Sequence, residues 1–188
     1  MLSRLLHAVA AAACLWAAAG CASDPPAAVP TDLLADPGPQ RALRVRATVA
    51  WVVDGDTFDA RLGGRRMRVR LLGIDAPESV KRDAPVECYG PEASARLKLL
   101  LPKGSRVTVE TDVGGDRRDR FGRLLAYATP WGSRATANAT MLRQGFADLY
   151  VFHAVRPFYR AQAFRAMRDE ARNARRGMWG ACPHPEQR

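Results

Sequence analysis

The chain has 188 residues, 47% hydrophobic and 26% charged, with 29 Lys and Arg against 19 Asp and Glu and a formal net charge of +10. That length suits one ordinary domain and excludes a scaffold that needs a structural metal, because about 148 folded residues bury roughly 68–70% of their unfolded surface. Residues 1–40 hold Arg4 against Asp24, Asp32 and Asp36, so residues 41–188 carry +12, a charge that favours polyanionic partners through counterion release and otherwise serves solubility.

Arg4 precedes an alanine-rich apolar run from His7 to Ala19, too short to span a bilayer and ending in small residues. This pattern predicts a secretory signal over residues 1–21. Ala18-Ala19-Gly20-Cys21 resembles a bacterial lipobox and makes Cys21 a candidate lipidation site, while Ala17-x-Ala19 also suits ordinary signal peptidase. Residues 22–40 contain Pro25, Pro26, Pro30, Pro37 and Pro39 with almost no large apolar group, which predicts a disordered linker. The folded domain is then 41–188 of an exported protein, either a lipoprotein anchored on the cell envelope or a periplasmic or secreted one. Of four cysteines only Cys88 and Cys182 fall in that domain; export favours a bridge between them, and two buried thiols are the alternative.

From Val45 the apolar residues Val45, Ala47, Val49, Trp51 and Val53 recur with period two, which predicts a half-buried strand with those five on its inner side. Asp54-Gly55-Asp56 reads as the turn into a second strand, Thr57 to Leu62, and Gly63-Gly64 as the next turn. Met67, Val69 and Leu71 then alternate with Arg66, Arg68 and Arg70, giving a third strand with an arginine row on one face. Pro91 suits the first turn of a helix that carries Ala93, Leu97, Leu100 and Leu101 and stops at Pro102-Lys103-Gly104. Val107, Val109 and Thr111 predict a fourth strand and Leu124, Ala126 and Ala128 a fifth, joined by a polar segment from Asp112 to Gly122 read as a mobile loop. Two helices follow, over about Arg134 to Gln144 and Pro157 to Arg176, each ended by a glycine. The sum is a mainly β, α+β fold: a five-stranded barrel of the oligonucleotide-binding (OB) type with about three helices.

Asp56 follows a tight turn and Asp75 ends the arginine-bearing strand, so a curled meander can bring their carboxylates together. Two carboxylates suit a hard, oxygen-seeking cation such as calcium, bound weakly by so few protein ligands. Arg70 and Arg123 can each offer a planar fork of donors to a phosphate, and Glu78 can orient or deprotonate a water. Taken singly these residues also read as hairpin chemistry, surface arginines and a solvated loop carboxylate.

Taken together they resemble a known family. Asp56 in Asp-Gly-Asp-Thr, Arg70 five residues before Asp75, Pro77-Glu78 after it, Asp119-x-x-Gly122-Arg123, and Asn138 seven residues before Gly145 are similar in order and spacing to the thermonucleases, the staphylococcal-nuclease-like family. The resemblance covers roughly Val45 to Gly180. It implies a calcium-dependent endonuclease acting on DNA and RNA, preferring single strands and leaving 3′-phosphate ends. It also implies that Asp56, Asp75 and the backbone carbonyl of Ala76 bind the calcium ion (Ca2+), that Arg70 and Arg123 hold the scissile phosphate, and that Glu78 helps to activate water. Arg117, Arg118 and Arg120 are candidate contacts to phosphates along the strand. No protein partner is implied, and a monomer is expected. Ala76 stands where the family often has threonine, Phe121 replaces a tyrosine, and Phe146 to His153 align poorly with the tyrosines that flank the family's nucleotide base; Tyr150 and His153 are possible substitutes. Two other readings compete: a barrel that binds nucleic acid without cutting it, as an OB-fold lipoprotein, and an envelope lipoprotein whose basic face meets anionic lipids.

Overall fold

The structure, a computed structural model, describes residues 42–79, 86–113, 115–152 and 157–183; the signal, the linker, Cys21 and His153 lie outside them. Three strands run in succession, β1 (Arg44–Asp54), β2 (Thr57–Leu62) and β3 (Arg65–Leu71), with turns at Gly55-Asp56 and Gly63-Gly64. After a two-residue strand, β4 (Ile74–Asp75), come helix α1 (Gly90–Leu100), β5 (Arg106–Glu110) and β6 (Leu124–Pro130). β6 pairs antiparallel with β5 and parallel with β3, and β5 pairs with the first half of β1. The barrel therefore closes in the order β1-β2-β3-β6-β5. The parallel pair needs a long crossover, which α1 and β5 supply. The chain continues through α2 (Ala137–Arg143), β7 (Asp148–Leu149), α3 (Ala161–Asn173) and a single turn, α4 (Met178–Ala181).

The inner face of β3 follows the predicted alternation, with Val69 and Leu71 1% exposed or less, and on β2 Phe58, Ala60 and Leu62 are 2% exposed or less. Leu97 of α1, Met141 and Leu142 of α2, and Phe164 of α3 close the core. Each such large side chain contributes about 1.5–3 kcal/mol through removal from water. Asn138 is buried among them and ties three segments: its Oδ1 accepts from Ala128 N at 3.0 Å, and its Nδ2 donates to the carbonyls of Leu72 (2.9 Å) and Ala126 (3.2 Å).

β1 departs from its predicted alternation. Val49 pairs with Ala60 but Trp51 pairs with Asp59, so Ala50 is an extra residue, and a second shift falls between Val52 and Asp54. The bulge turns Ala50 inward and leaves Trp51 on the outside of the barrel, 41% exposed. Since Ala50 and Trp51 are both apolar, the sequence pattern does not reveal the slip.

The described residues between Asp112 and Gly122 include several tied to the barrel, where polarity suggested a loose loop. Asp112 is buried and accepts from Tyr127 Oη (2.8 Å) and Tyr159 N (3.0 Å), Leu125 N donates to Arg117 O (2.8 Å), and Arg118 forms a bridge with Leu124. α2 begins three residues later than expected because Thr136 caps it, accepting from Ala139 N. α3 begins at Ala161 and ends at Asn173, inside the predicted range. The β4–β7 pair and α4 were not anticipated, being too short for periodicity to register. Cys88 and Cys182 are joined by a disulfide, which ties the start of α1 to the chain beyond α4.

Candidate active site

Arg70, on the outer row of β3, gathers the acidic residues. Its side chain is 12% exposed, with Nη1 2.8 Å from Asp56 Oδ2 and Nη2 2.8 Å from Asp75 Oδ1. Nη1 also donates to the Ile74 carbonyl at 2.8 Å, which fixes the guanidinium plane against β4. Without that shared cation two neighbouring carboxylates would repel each other; with it, both are held by charge-assisted bonds.

Asp56 is anchored on its other sides. Oδ2 accepts from Ala76 N (3.0 Å), Oδ1 from Thr57 Oγ1 (2.8 Å), and its carbonyl from Leu71 N (2.8 Å). Its side chain is 9% exposed, against 45% for Asp75, so Asp75 faces the solvent edge of the pair. Gly55 permits this turn to sit close: a Cβ there would lie 2.6 Å from Ala76 Cβ and 2.9 Å from Ala93 Cβ. Gly55→Ala is expected to lower stability by about 1–3 kcal/mol through overpacking, read as a fall in the urea midpoint; an unchanged midpoint would mean that Ala76 and Ala93 yield freely.

Asp54 was read from sequence only as part of the turn, yet it belongs to this cluster. Its Oδ1 accepts from Gly55 N (2.7 Å) and Ser79 Oγ (2.6 Å). Burial pushes its carboxyl up to about 6; the Ser79 hydrogen bond opposes the rise, and a hydrogen bond with Glu78 adds to it. Asp54 is thus a neighbour of Glu78 in the cluster. The signal available in the sequence was the second acid of Asp54-Gly55-Asp56. Glu78 is placed by its main chain: its N–H donates to Glu87 Oε2 (3.0 Å), and its carbonyl accepts from Glu87 N (2.9 Å).

Arg123 stands just before β6, next to Leu124, whose partner on β3 is Val69, while Arg70 pairs with Leu125. Arg70 therefore lies on one strand, and Arg123 immediately precedes the neighbouring one. Arg123 Nε is held by Asp119 Oδ2 at 2.6 Å, and Asp119 Oδ1 accepts from the N–H groups of Phe121 (2.9 Å) and Arg123 (3.0 Å). The other loop arginines divide. Arg117 is buried, at 4% exposure, which corrects its expected place on an exposed phosphate-binding surface. Arg118 donates to the Gly122 carbonyl at 2.7 Å, and Arg120 is exposed beside the Phe121 ring. On the far side, Tyr150 N donates to Gly73 O (3.1 Å), so the exposed Tyr150 and Phe152 follow directly on β7, which pairs with the strand bearing Asp75.

Asp56 and Asp75 are two oxygen donors brought together at one guanidinium. That chemistry fits a hard cation of the calcium type and not a thiolate- or imidazole-seeking metal. Among the described residues no three Asp, Glu, His or Cys side chains form a cage by themselves, so a cation here would keep water in several positions.

The family model of the Staphylococcal nuclease homologues (SNase) matches residues 68–181. The chain belongs to this family. The endonuclease YncB of Bacillus subtilis (strain 168) is 36% identical over 135 residues, covering 72% of this chain and 62% of YncB. Thermonuclease of Staphylococcus hyicus is 33% identical over 129 residues, 68% of this chain and 72% of its own. Thermonuclease of Staphylococcus intermedius is 40% identical over 96 residues, about half of each chain. The chain thus spans less than two thirds of the YncB length. The closed five-stranded barrel with its helices agrees with the OB-type α+β fold of the SNase family.

Proposed function

We propose that this SNase-family chain is an exported nuclease that hydrolyses phosphodiester bonds of DNA and RNA with calcium, prefers single strands and leaves 3′-phosphate ends. The observation that carries the reading is the Arg70 guanidinium joined at once to Asp56 and Asp75. A calcium ion held by Asp56, Asp75 and the Ala76 carbonyl would polarise a phosphoryl oxygen and lower the cost of attack by water. The remaining chemistry falls to side chains. Arg70 and Arg123 offer bidentate donors to the phosphate oxygens, where negative charge grows during in-line displacement. Glu78 accepts the proton of the attacking water; the new P–O bond forms as the bond to the 5′-oxygen breaks, and that oxygen takes up a proton from solvent. The Asp54 carboxyl beside Glu78 is pushed up to about 6 by burial, so the rate is expected to rise as pH passes upward through about 6 and Asp54 ionises.

Export accords with the Cys88–Cys182 bridge, which suits an oxidising compartment. If Cys21 carries a lipid, Cys21→Ser moves the protein from the membrane fraction to the soluble one; an unmoved distribution argues for free secretion.

The test is release of acid-soluble nucleotides from denatured DNA by the purified protein with calcium, magnesium or chelator. Calcium-dependent release is expected, with a loss of about 10²–10³-fold in Arg123→Ala and little change in its unfolding midpoint. Glu78→Gln should keep calcium affinity and lose rate. Tight DNA binding without release in any metal would overturn the reading in favour of a non-catalytic barrel.

A further inference from the structure

Next to the candidate site, the outer face of the barrel carries a cluster that catalysis does not use. Asp59 on β2 is only 1% exposed, although its neighbours Phe58 and Ala60 are the residues that fill the barrel. It is covered by two arginines of β3. Arg66 Nε donates to Asp59 Oδ2 at 2.9 Å, and Arg68 Nε donates to Asp59 Oδ1 at 2.9 Å. Burial alone would raise the Asp59 carboxyl, but its bonds to Arg68 and Arg66 outweigh that and hold it below the usual carboxylate range. Arg66 is fixed on a second side, with Cζ 3.5 Å from the centroid of the Trp51 ring. Trp51 is there only because the bulge at Ala50 turns it out of the barrel, and bulges beside active sites commonly re-aim a side chain in this way.

The result is a planar cation clamped at its edge by a buried carboxylate and backed by an indole, yet still 46% exposed; Arg68 beside it is 48% exposed. Burying a carboxylate under two arginines is a weak way to stabilise a sheet. It is an effective way to hold a guanidinium flat and ready. Arg66 and Arg68 also line an open groove with Phe121, Gly122 and Arg123. Arg66, Arg68 and Arg70 are alternate residues of one strand and so stand about 6.6 Å apart along it, a step within the reach of one nucleotide of an extended strand.

We propose that the Arg66 guanidinium, backed by Trp51, is a stacking shelf for a base of the substrate strand, displaced along β3 from the phosphate at Arg70, with Arg68 taking a phosphate between them. Guanidinium planes and aromatic rings stack unpaired bases of any identity. A base must leave its duplex to lie on the shelf, so the partner is single-stranded nucleic acid reaching beyond the scissile bond. The direction of the strand rests on the nuclease reading; the shelf itself does not.

The test is fluorescence anisotropy of a labelled oligothymidylate with the full chain in chelator, comparing wild type, Trp51→Ala and Arg66→Lys. Arg66→Lys keeps the charge and the partner Asp59 and removes only the plane, so it guards against a variant that fails to fold. Each variant is expected to bind roughly 5- to 150-fold more weakly, and the difference should vanish with an abasic strand of the same phosphates. Cleavage of a dinucleotide should be unchanged. Wild-type affinity in both variants, or an equal loss on the abasic strand, would overturn the shelf and leave the cluster a clasp between β1, β2 and β3. If wild type cleaves nothing while the variants still lose base-dependent binding, the nuclease reading fails and the shelf stands.

Discussion

Arg70→Gln is expected to remove hydrolysis almost completely and to unfold at a lower temperature than Arg123→Ala. The two effects have one cause. Arg70 is both the proposed donor to the phosphate and the cation that pairs at once with Asp56 and Asp75. Losing a donor aimed at developing phosphoryl charge costs about 10²–10³ in rate. Breaking a buried ion pair leaves a charge behind and costs about 3–5 kcal/mol; the lower end applies here, because Asp75 is partly solvated and Asp56 keeps its bonds from Thr57 and Ala76. Calcium should raise the melting temperature of the variant by more than that of the wild type, since a cation between the carboxylates then replaces the missing guanidinium. A variant as stable and as active as wild type would remove Arg70 from the centre of the site.

The double substitution Cys88→Ser, Cys182→Ser is expected to have the largest effect on stability. The cysteines are separated by 94 residues, and a crosslink closing a loop of that size restricts the unfolded chain by about 4–5 kcal/mol. For a domain of this size the loss corresponds to a fall of about 10–20 °C in Tm. The bridge also bears on the site, because Cys88 directly follows Glu87, whose carboxylate and N–H both hold the main chain of Glu78. Reduction should therefore slow hydrolysis several-fold even at temperatures where the barrel remains folded. Calorimetry and turnover on the same samples check both; a midpoint within a few degrees together with full activity would show that the helices hold Glu78 without the bridge.

Much of the fold was legible because its signals are local. The alternation of Met67, Val69 and Leu71 with arginines, the turns at Gly55 and Gly63-Gly64, and the glycine after α2 each state a backbone preference within a few residues. The site was legible through several short motifs in one order. What escaped depended on partners distant in the chain. The bulge at Ala50 follows from the register between β1 and β2, and two adjacent apolar residues do not disclose which faces inward. The Asp112–Gly122 segment looked mobile because it is polar, but Asp112 meets Tyr127 and Tyr159, and Arg117 is buried. Asp54 looked like turn chemistry until Ser79 and Glu78 were folded against it.

By itself the sequence determined the class of the protein: a basic barrel domain with acids and arginines in the order of the SNase family. Tertiary structure alone decided which of those charges share a partner and which stand free of the core. The reason is physical. Periodicity and turn chemistry act over neighbouring residues, whereas the pairing of Arg70 with two carboxylates, the burial of Asp59 beneath Arg66 and Arg68, and the seating of Arg66 on Trp51 exist only once strands distant in sequence lie side by side.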